Sequence, residues 1–499
     1  MYQSSVVQIG NVPLGEKKPV RIQSMTTTNT MDTSATVAQI VGLARAGCDF
    51  VRITTQNIKE AENLKNIKNE LQRVGINIPL IADVHYNPKV AEVAAGIVEK
   101  VRINPGNYID IDTNVTSNRY PVKDNALESI AENLTPLLNI CQQYGTTIRI
   151  GVNHGSLSER ILYSYGNTAR GMVESIMEFV QVCNQFGFHK LVLSLKASNV
   201  VTMIEANLLL VDRLSKEGLN YPIHLGVTEA GSEEEGRVKS AAGIGYLLAH
   251  GVGDTIRVSL TEDPLEEIPV ARKLVNYFGQ RKDLTKEISS EIFSFPKSSF
   301  KGKPPFVVTS KHSSFSDCFV EKQPEISERS RMTMYNIHKL SYHGLANADL
   351  VIKATVEATV IMLKLKVDGI WIENEDVSSP DNLAKLMLNI LQVLGLRITK
   401  TEFIACPTCG RSTINVIKQL EEVKKQTSLL PGLKIAVMGC AVNGPGEMVG
   451  SHYGCVGSGK GKVNIYKGGN IVQKNIPQEM AADTLVRLIK ENREWNDVD

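Results

Sequence analysis

The first 280 residues or so repeat one pattern, in which a short β-branched segment is followed by a polar turn and an amphipathic stretch. This repeat constrains the fold more than any other feature, because strands that alternate with helices favour a parallel sheet. Eight such segments in about 260 residues predict a (β/α)8 TIM barrel, an α/β fold. They are VRIQSM (20–25), FVRITT (50–55), PLIADV (79–84), KVRIN (100–104), TIRIGV (147–152), LVLSLK (191–196), IHLGV (223–227) and TIRVSL (255–260). The long connection between 104 and 147 leaves room for a short extra hairpin.

The chain changes character near residue 281, where a stretch rich in Lys, Ser and Pro begins. Such composition is typical of a linker or of the entry to a domain. Residues 281–395 predict a middle α/β insert without a catalytic constellation, too short for a second barrel of about 200 residues. Residues 396–499 predict a compact C-terminal α/β domain that carries the motif CPTCGR. We therefore predict three domains, with boundaries at 1–280, 281–395 and 396–499.

The overall charge excludes some classes of partner. The chain has 55 basic and 53 acidic side chains, a formal charge of +2, which gives no reason to expect nucleic acid or an anionic membrane. No apolar run reaches the roughly 18 residues that span a bilayer, and the N-terminal stretch lacks a basic-then-apolar signal pattern. We expect a cytoplasmic protein whose anion binding depends on local clusters of charge.

Four of the predicted strands contain the triplet aliphatic–Arg–aliphatic, centred on Arg52, Arg102, Arg149 and Arg257. Alternation along a strand puts each Arg on the face opposite its two aliphatic neighbours. If the aliphatic residues pack against the helices, the four guanidinium groups point into the barrel, near the end where barrel active sites lie. Arg21 lies in a similar triplet, but further from the end of its strand, and we assign it a structural role.

Several cations inside a barrel repel one another unless anions lie among them. One interpretation is internal ion pairing with Asp83, Glu229 or other carboxylates. The other is a polyanionic substrate such as a diphosphate, which Arg forks and the point charge of Lys196 would bind. Both interpretations remain open from the residues alone.

Polar side chains follow the predicted strands at the same end of the barrel. Since active sites are built there, we expect these side chains to line the site. They are Asp83, His85, Asn153, His154, Ser198, Thr228, Glu229 and Ser259. Among them Glu229 is the best candidate for an acid/base, because nearby cations and dry walls shift a carboxyl pKa in opposite directions.

Three cysteines of the C-terminal domain suggest a metal centre. Cys406 and Cys409 form a C-x2-C pair on one loop, and Cys440 follows in MGCAVNGPGEM. Zinc ribbons close such a site with a second close pair of Cys or His, which is missing here. Three thiolates resemble instead a [4Fe–4S] cluster in which one iron differs from the other three. We also expect a helix directly after CPTCGR, whose first N–H groups would stabilise anionic sulfur.

Two residues are candidates for the fourth ligand. Cys455 would complete an all-thiolate site for electron transfer or structure. Glu447 lies across the flexible NGPG turn from Cys440, and its oxygen would exchange more easily than sulfur, which leaves a position open for substrate. The residues alone do not decide between them. The remaining cysteines, Cys48, Cys141, Cys183 and Cys318, fit small core positions.

Taken in order, the motifs VRINPGN, IRIGVNHGSL, SLKAS, LGVTEAG, IRVSL, CPTCGR and MGCAVNGPGE resemble the 4-hydroxy-3-methylbut-2-enyl diphosphate synthase family. These are iron–sulfur enzymes of the non-mevalonate isoprenoid pathway. The resemblance covers about residues 1–280 and 395–490. It implies reductive ring opening and dehydration of 2-C-methyl-D-erythritol 2,4-cyclodiphosphate, with two electrons from ferredoxin or flavodoxin.

The resemblance also implies roles for individual residues. The cluster ligands fall on Cys406, Cys409, Cys440 and Glu447, and the acid/base on Glu229. The substrate contacts implied by the family, with their plausible neighbours, are Arg52, Asp83, His85, Arg102, Arg149, Asn153, Lys196, Ser198, Thr228, Arg257 and Ser259.

Two-domain members of the family join barrel and cluster across a head-to-tail homodimer, whereas other members carry a larger, barrel-like insert at residues 281–395. The short insert here is expected to act as a spacer between barrel and cluster. Two other functions fit parts of the sequence: a phosphate-binding lyase or pterin-type transferase with a zinc tail, and an electron carrier or regulator that senses a phosphorylated metabolite.

Overall fold

A computed structural model of the chain describes residues 2–108, 123–279, 288, 290–300, 302–319, 334–365, 367–375, 377–442 and 444–492. Within these ranges no helix combines the length and the apolar character that crossing a bilayer requires.

The predicted eight-stranded barrel is confirmed. Its strands pair in parallel in the order β8-β7-β6-β5-β4-β3-β10-β9, and a bridge between Leu193 and Ile223 closes the ring from β8 to the segment that enters β9. A short antiparallel hairpin of β1 (Val7–Ile9) and β2 (Val12–Leu14) precedes the barrel. The barrel strands are β3 (Arg21–Met25), β4 (Phe50–Thr54), β5 (Leu80–Asp83), β6 (Lys100–Ile103), β7 (Thr147–Asn153), β8 (Leu191–Lys196), β9 (His224–Leu225) and β10 (Thr255–Ile256).

Helices surround the barrel, and most begin at a polar cap. Asp32, Asn57, Asn87, Thr168 and Asn199, for example, each accept a hydrogen bond from a backbone N–H of the first turn. The helices are α1 (Thr33–Arg45), α2 (Ile58–Arg73), α3 (Pro88–Ala95), α4 (Pro105–Tyr108), α5 (Lys123–Tyr144), α6 (Glu159–Tyr165), α7 (Ala169–Gln185), α8 (Val200–Lys216), α9 (Glu233–Ser240), α10 (Tyr246–Ala249) and α11 (Pro264–Phe278). The connection from 104 to 147 contains α4 and α5, and the extra hairpin suggested there falls at 109–122, outside the described residues.

Strand alternation determines what each face of the barrel wall contacts. The aliphatic neighbours of the four arginines, such as Val51 and Ile150, are fully buried in the core between strands and helices. The opposite face points inward, and its lower end is apolar, where Phe50, Ile81 and Val192 pack against the β1–β2 hairpin. The hairpin therefore closes the N-terminal end of the barrel, and the open end is the C-terminal one.

The middle segment forms a five-stranded sheet in the order β11-β14-β15-β12-β13, in which only β11 and β14 pair antiparallel. Two helices pack on one face, and aromatic side chains cluster on the other. The elements are β11 (Glu291–Pro296), β12 (Phe306–Thr309), β13 (Cys318–Phe319), β14 (Met334–His343), α12 (Asn347–Lys364), β15 (Gly369–Glu375) and α13 (Pro380–Val393).

The C-terminal segment forms a second five-stranded sheet, β16-β17-β18-β19-β20, with its first three strands parallel and its last three antiparallel. Its elements are β16 (Glu402–Ala405), α14 (Val416–Thr427), β17 (Lys434–Met438), α15 (Gly444–Glu447), β18 (Tyr453–Gly459), β19 (Lys462–Lys467), β20 (Asn470–Pro477) and α16 (Ala481–Glu491). The prediction that a helix follows CPTCGR directly is wrong. Helix α14 begins only at Val416, and Asn415 caps it.

The middle domain packs on the barrel through α12. Gly245, in a π-helical turn between α9 and α10, lies directly against Val356, and a Cβ at Gly245 would be 2.3 Å from the Val356 Cγ2 atom. Tyr277 of α11 donates a hydrogen bond of 2.7 Å to Glu357. The same face of the barrel contacts α13, where Asn389 donates to Glu234 at 2.8 Å. These contacts fix the insert against the side of the barrel.

We predict that Gly245→Ala destabilises the protein by about 1–3 kcal/mol, because the new methyl overpacks a closed contact. Val356→Ala removes the two methyl groups in its way. The Gly245→Ala substitution should therefore destabilise the Val356→Ala variant less than it destabilises the wild type. A double-mutant cycle of the four proteins measures this coupling between the two positions. The measurement is the thermal midpoint of all four proteins at one concentration. Strict additivity of the two substitutions would contradict the close contact.

Candidate active site at the barrel mouth

The open end of the barrel and the cysteine loops of the C-terminal domain enclose one cleft. It holds about 780 Å³ of empty space, a volume that includes space open to solvent. Both domains contribute predicted residues: Arg52, Asp83, His85, Arg102, Arg149, Asn153, Lys196, Thr228, Glu229, Arg257, Ser259, Cys406, Cys409, Cys440 and Glu447. Ser198, by contrast, lies half-buried between β8 and α8 and does not line this cleft.

Asp83, at the end of β5, is the centre of the charge network. Its carboxylate oxygens lie 3.4 Å from Arg102 Nη1, 3.3 Å from Arg411 Nη2 and 4.0 Å from Arg52 Nε. Burial by itself raises a carboxyl pKa, but the charges of Arg52 and Arg102 hold the pKa of Asp83 well below its usual range. Asp83 is therefore a permanent anion that organises three cations.

His85 is neutral in this network. Burial, together with the charges of Arg411 and Arg102, lowers its pKa to about 3. Its Nε2 atom lies 2.7 Å from Arg102 Nη1, so an unprotonated Nε2 accepts from the guanidinium. His85 thus orients Arg102, whose Nη2 also donates to the Gly151 carbonyl at 2.9 Å.

Arg257 has its own carboxylate. Glu267 of α11 accepts two hydrogen bonds from it, 3.2 Å from Nε and 3.0 Å from Nη2, and a third from Ser24 at 2.7 Å. All three side chains are buried. The Glu267 carboxylate therefore balances the charge of Arg257. The shared Asp83 carboxylate balances part of the charge of Arg52 and Arg102.

The ion pairs of the described residues that hold Arg52, Arg102 and Arg257 do not extend to Arg149 or Lys196. Arg149 is 1% exposed, and its Nε and Nη1 atoms have no hydrogen-bond acceptor among the described residues. Burial and the neighbouring Arg149 hold the pKa of Lys196 well below its usual range. A buried donor without an acceptor is costly, so this part of the cleft is built for an anion that arrives from outside.

Glu229 and Glu447 bring two carboxyl groups together from the two domains. Burial and the Glu447 carboxylate raise the pKa of Glu229 well above its usual range. Glu229 also has φ +50°, a left-handed conformation that is strained for a residue with a side chain. On the other carboxylate, Asn153 donates a hydrogen bond to Glu447 Oε1. The surroundings of one carboxyl group thus favour its protonated form, and the other carboxyl group is held in place by an amide.

The three predicted cysteines open onto this cleft, next to the carboxyl pair. Gly439 N–H donates to Cys406 Sγ at 3.1 Å, and Arg411 Nη1 lies 3.9 Å from Cys409 Sγ. Within the described residues, no three Cys, His, Asp or Glu side chains form the tight group that one metal ion requires. The three thiols and the Glu447 carboxyl group line the same cleft.

Cys455 lies elsewhere. It is fully buried on β18, between Val437 and Ile465 of the neighbouring strands, and burial raises its pKa to about 12. It packs in the apolar core of the C-terminal domain and does not line the cleft.

Backbone contacts join the two domains beside the cysteine loop. Ala230, directly after Glu229, forms a parallel bridge with Ala405, directly before Cys406. Thr261 donates to the Ala405 carbonyl at 3.0 Å, and Lys239 donates to the Phe403 carbonyl at 2.9 Å. Barrel and C-terminal domain of one chain therefore meet in register at the site.

A second seam is formed by two glycines. Gly155, in the turn after β7, and Gly446, in α15, touch backbone to backbone. A Cβ at Gly155 would be 2.1 Å from the Gly446 carbonyl oxygen, and a Cβ at Gly446 would be 2.2 Å from that of Gly155. Since both obstacles are backbone atoms, no side chain fits at either position while the cleft is closed.

Sequence reasoning missed three groups at the site: Arg411, Glu267 and this glycine pair. Arg411 stands inside the quoted motif CPTCGR, and the glycines stand inside IRIGVNHGSL and NGPGE, so the motifs contained the signal. Glu267 lies within a helix, and nothing in the local pattern distinguishes its carboxylate from those on the solvent-facing side.

We predict that Gly155→Ala holds the two domains apart and breaks the hydrogen bond between Asn153 and Glu447. Hydrogen exchange of the backbone around 154–156 and 444–447 should become faster, and small-angle scattering should give a larger radius of gyration. Gly459→Ala is the matched control, since a Cβ there meets no atom within 4 Å. Unchanged exchange in Gly155→Ala would contradict the proposed seam.

Comparisons with known proteins agree with this architecture. Residues 4–272 match the GcpE TIM-barrel domain, and residues 402–491 match the GcpE protein C-terminal domain. A 4-hydroxy-3-methylbut-2-en-1-yl diphosphate synthase (flavodoxin) from Parabacteroides distasonis is 39% identical over 601 aligned positions, which cover 99% of this chain and 98% of the relative. A relative of the same name from Porphyromonas gingivalis is 38% identical, over 99% of this chain and 98% of the relative. Another from Leptospira interrogans is 34% identical, over 98% of this chain and 96% of the relative.

Among solved structures, N-acetylneuraminic acid synthetase from Leptospira borgpetersenii matches over 57% of this chain and 96% of its own chain. The sequence identity is 15% and the TM-score 0.36, a likeness too weak to bear on function. The two matched domains and the full-length identity to several relatives are decisive. The chain belongs to the 4-hydroxy-3-methylbut-2-en-1-yl diphosphate synthase family.

Proposed function

We propose that this chain converts 2-C-methyl-D-erythritol 2,4-cyclodiphosphate into 4-hydroxy-3-methylbut-2-enyl diphosphate by reductive ring opening and dehydration. The observation that carries the proposal is the shared cleft, lined both by three thiols and by buried Arg149, whose Nε and Nη1 atoms have no acceptor among the described residues. The relatives' name supports flavodoxin as the electron donor. Ferredoxin is the alternative donor.

The barrel supplies the diphosphate site. Two nitrogens of Arg149, Nε and Nη1, have no acceptor among the described residues, and Arg forks match phosphate oxygens. Lys196 adds a charge that the anion would restore, because a nearby negative charge favours the protonated amine. We assign binding of the diphosphate to these two residues together with Arg52, Arg102 and Arg257. His85 and Asp83 then act by holding Arg102 in position.

The C-terminal thiols fit a [4Fe–4S] cluster. Cys406, Cys409 and Cys440 are the proposed ligands, and the N–H of Gly439 already donates to one of these sulfurs, as hydrogen bonds to cluster sulfurs do. Glu447 is the proposed fourth ligand, because it lines the cleft while Cys455 is buried in the core. When bound, the cluster would pass on, one at a time, the two electrons that the external donor provides and the reaction consumes.

The remaining steps depend on the chain's own residues. Opening the ring breaks one C–O bond, and the departing hydroxyl needs a proton to leave as water. We assign that proton to Glu229, because burial and the Glu447 carboxylate raise its pKa and so favour the protonated carboxyl group that a general acid needs. Asn153 orients the Glu447 carboxylate, and the two seams hold the C-terminal domain over the barrel mouth. Since both halves of the cleft come from one chain, we propose a site complete within one chain rather than one that requires a homodimer.

The test of this function is turnover of the cyclic diphosphate by anaerobically purified protein with a low-potential reductant, followed by mass spectrometry of the product. Glu229→Gln should lower kcat by about 10²–10⁴-fold, the usual contribution of a general acid, and change the affinity for substrate much less. No linear diphosphate from protein with a full iron and sulfide load would refute the function. Zinc without sulfide in the purified protein would favour the zinc-tailed lyase or transferase instead.

A second experiment separates the two candidates for the fourth ligand. We expect Glu447→Ala to keep iron bound through three thiolates but to change the electron paramagnetic resonance spectrum of the reduced cluster. Cys455→Ala should leave the spectrum and the iron content unchanged and lower only the thermal stability, since it truncates a buried side chain. The reverse pattern would assign the fourth position to Cys455.

A further inference from the structure

Below the arginines, the barrel contains a second layer of polar side chains that the proposed reaction does not use. Barrels of this type are normally filled with Val, Ile and Leu. Here Gln23, Lys100 and His224 are at most 1% exposed, and their side-chain nitrogens have no hydrogen-bond partner among the described residues. Such orphaned groups call for an explanation.

Lys100 is the exceptional member of this layer. It stands two residues before Arg102 on β6, so alternation points both side chains into the barrel. Its side chain is 0% exposed, and its Nζ lies 4.6 Å from the centre of the Phe50 ring. Phe50 belongs to the apolar cluster that closes the bottom of the barrel. Lys100 is therefore enclosed between an apolar floor and the cationic layer of the cleft.

The charged and titratable groups around Lys100 do not compensate an ammonium ion. Arg149 from β7, Arg52 from β4 and His224 from β9 face it. Asp83 on β5 lies one layer higher, at the level of Arg102, and is already shared by three arginines. The ring of Phe50 gives only a weak cation–π attraction. In the empty barrel both burial and repulsion from Arg149 and Arg52 thus disfavour the charged form.

We propose that Lys100 takes up a proton when a diphosphate binds above it, and so adds a charge to the anion site only while that site is filled. The anion neutralises Arg149 and Arg52, the two cations that repel the ammonium. Lys100 does not need to touch the substrate, and its role is that of a positioning residue that tunes the field beneath the arginines. This inference rests on the proposed function, because it requires a diphosphate at the barrel mouth.

The sign of the pH dependence follows from linkage. Binding that takes up one proton weakens by up to tenfold for each rise of one pH unit, between the pKa of Lys100 in the free protein and its higher pKa in the complex. Below that window Lys100 is charged in both states, and above it in neither, so its contribution to the slope vanishes. Lys196 and Glu229 add their own contributions, which remain when Lys100 is replaced.

The test is calorimetric titration of the intact, cluster-loaded protein with 2-C-methyl-D-erythritol 2,4-cyclodiphosphate, without reductant so that no turnover occurs. Repeating it in buffers of different ionisation enthalpy, from about pH 6 to about pH 9, gives the number of protons taken up. We expect Lys100→Met to take up about one proton fewer than the wild type within the window, and to lose one unit of slope in log Kd against pH. Lys65→Met, on the exposed side of α2, is the matched control and should behave as the wild type.

Each outcome is decisive. Equal proton uptake by wild type and Lys100→Met would overturn the inference, while binding itself would still support the proposed substrate. Absence of binding by the wild type would refute the proposed function and the inference with it. Lys100→Gln serves as a second neutral variant if the Met variant folds poorly. A merely structural role for Lys100 would alter thermal stability in both variants and leave the proton count unchanged.

Discussion

The buried carboxylate of Asp83 joins the two halves of the site electrostatically. It pairs with Arg52 and Arg102 of the barrel and with Arg411 of the C-terminal domain, so that one anion is shared by cations from both. A buried ion pair is costly unless its geometry is good and its remaining atoms are satisfied. Closing the C-terminal domain over the barrel brings the third cation to Asp83. The pairing that orders the barrel mouth thus also favours the closed cleft.

That arrangement leaves the barrel with more positive than negative charge inside, and the rest of the fold must offset it. The outward faces of the same strands pack fully buried aliphatic residues against the helices, and the hairpin before the barrel closes its floor with apolar side chains. Strands buried on both faces normally read as continuous apolar runs. Here one face stabilises the fold while the other carries the charges that bind an anion. Stability and function are thereby divided between the two faces of each strand.

The sequence predicts the parts of this arrangement that follow from local periodicity. Strand alternation alone places Arg52, Arg102, Arg149 and Arg257 inside the barrel, and the C-x2-C pair marks the second half of the site. What it does not predict depends on contacts distant in the chain. Arg411 reaches Asp83 across 328 residues, and Ser198 follows a strand like its neighbours but does not face the cleft. The delayed start of α14 reflects the cysteine loop, which uses the residues after CPTC for contacts to Gly439 and Asp83 before the helix begins.

The length of the middle domain matters less for closing the cleft than the contacts between the barrel and the C-terminal domain. The alignments with relatives run to about 600 positions against 499 residues here, so the relatives carry segments without a counterpart in this chain. Cleft closure tolerates such differences, because the seams that define it, Ala230 with Ala405 and Gly155 with Gly446, involve no residue of the insert. The insert contacts the barrel side instead, through Val356 on Gly245 and Asn389 with Glu234. An insert held in that way needs only to span the gap between α11 and β16. Its length is then free to vary as long as both ends stay fixed, whereas a single methyl group at either glycine of the seam is not tolerated.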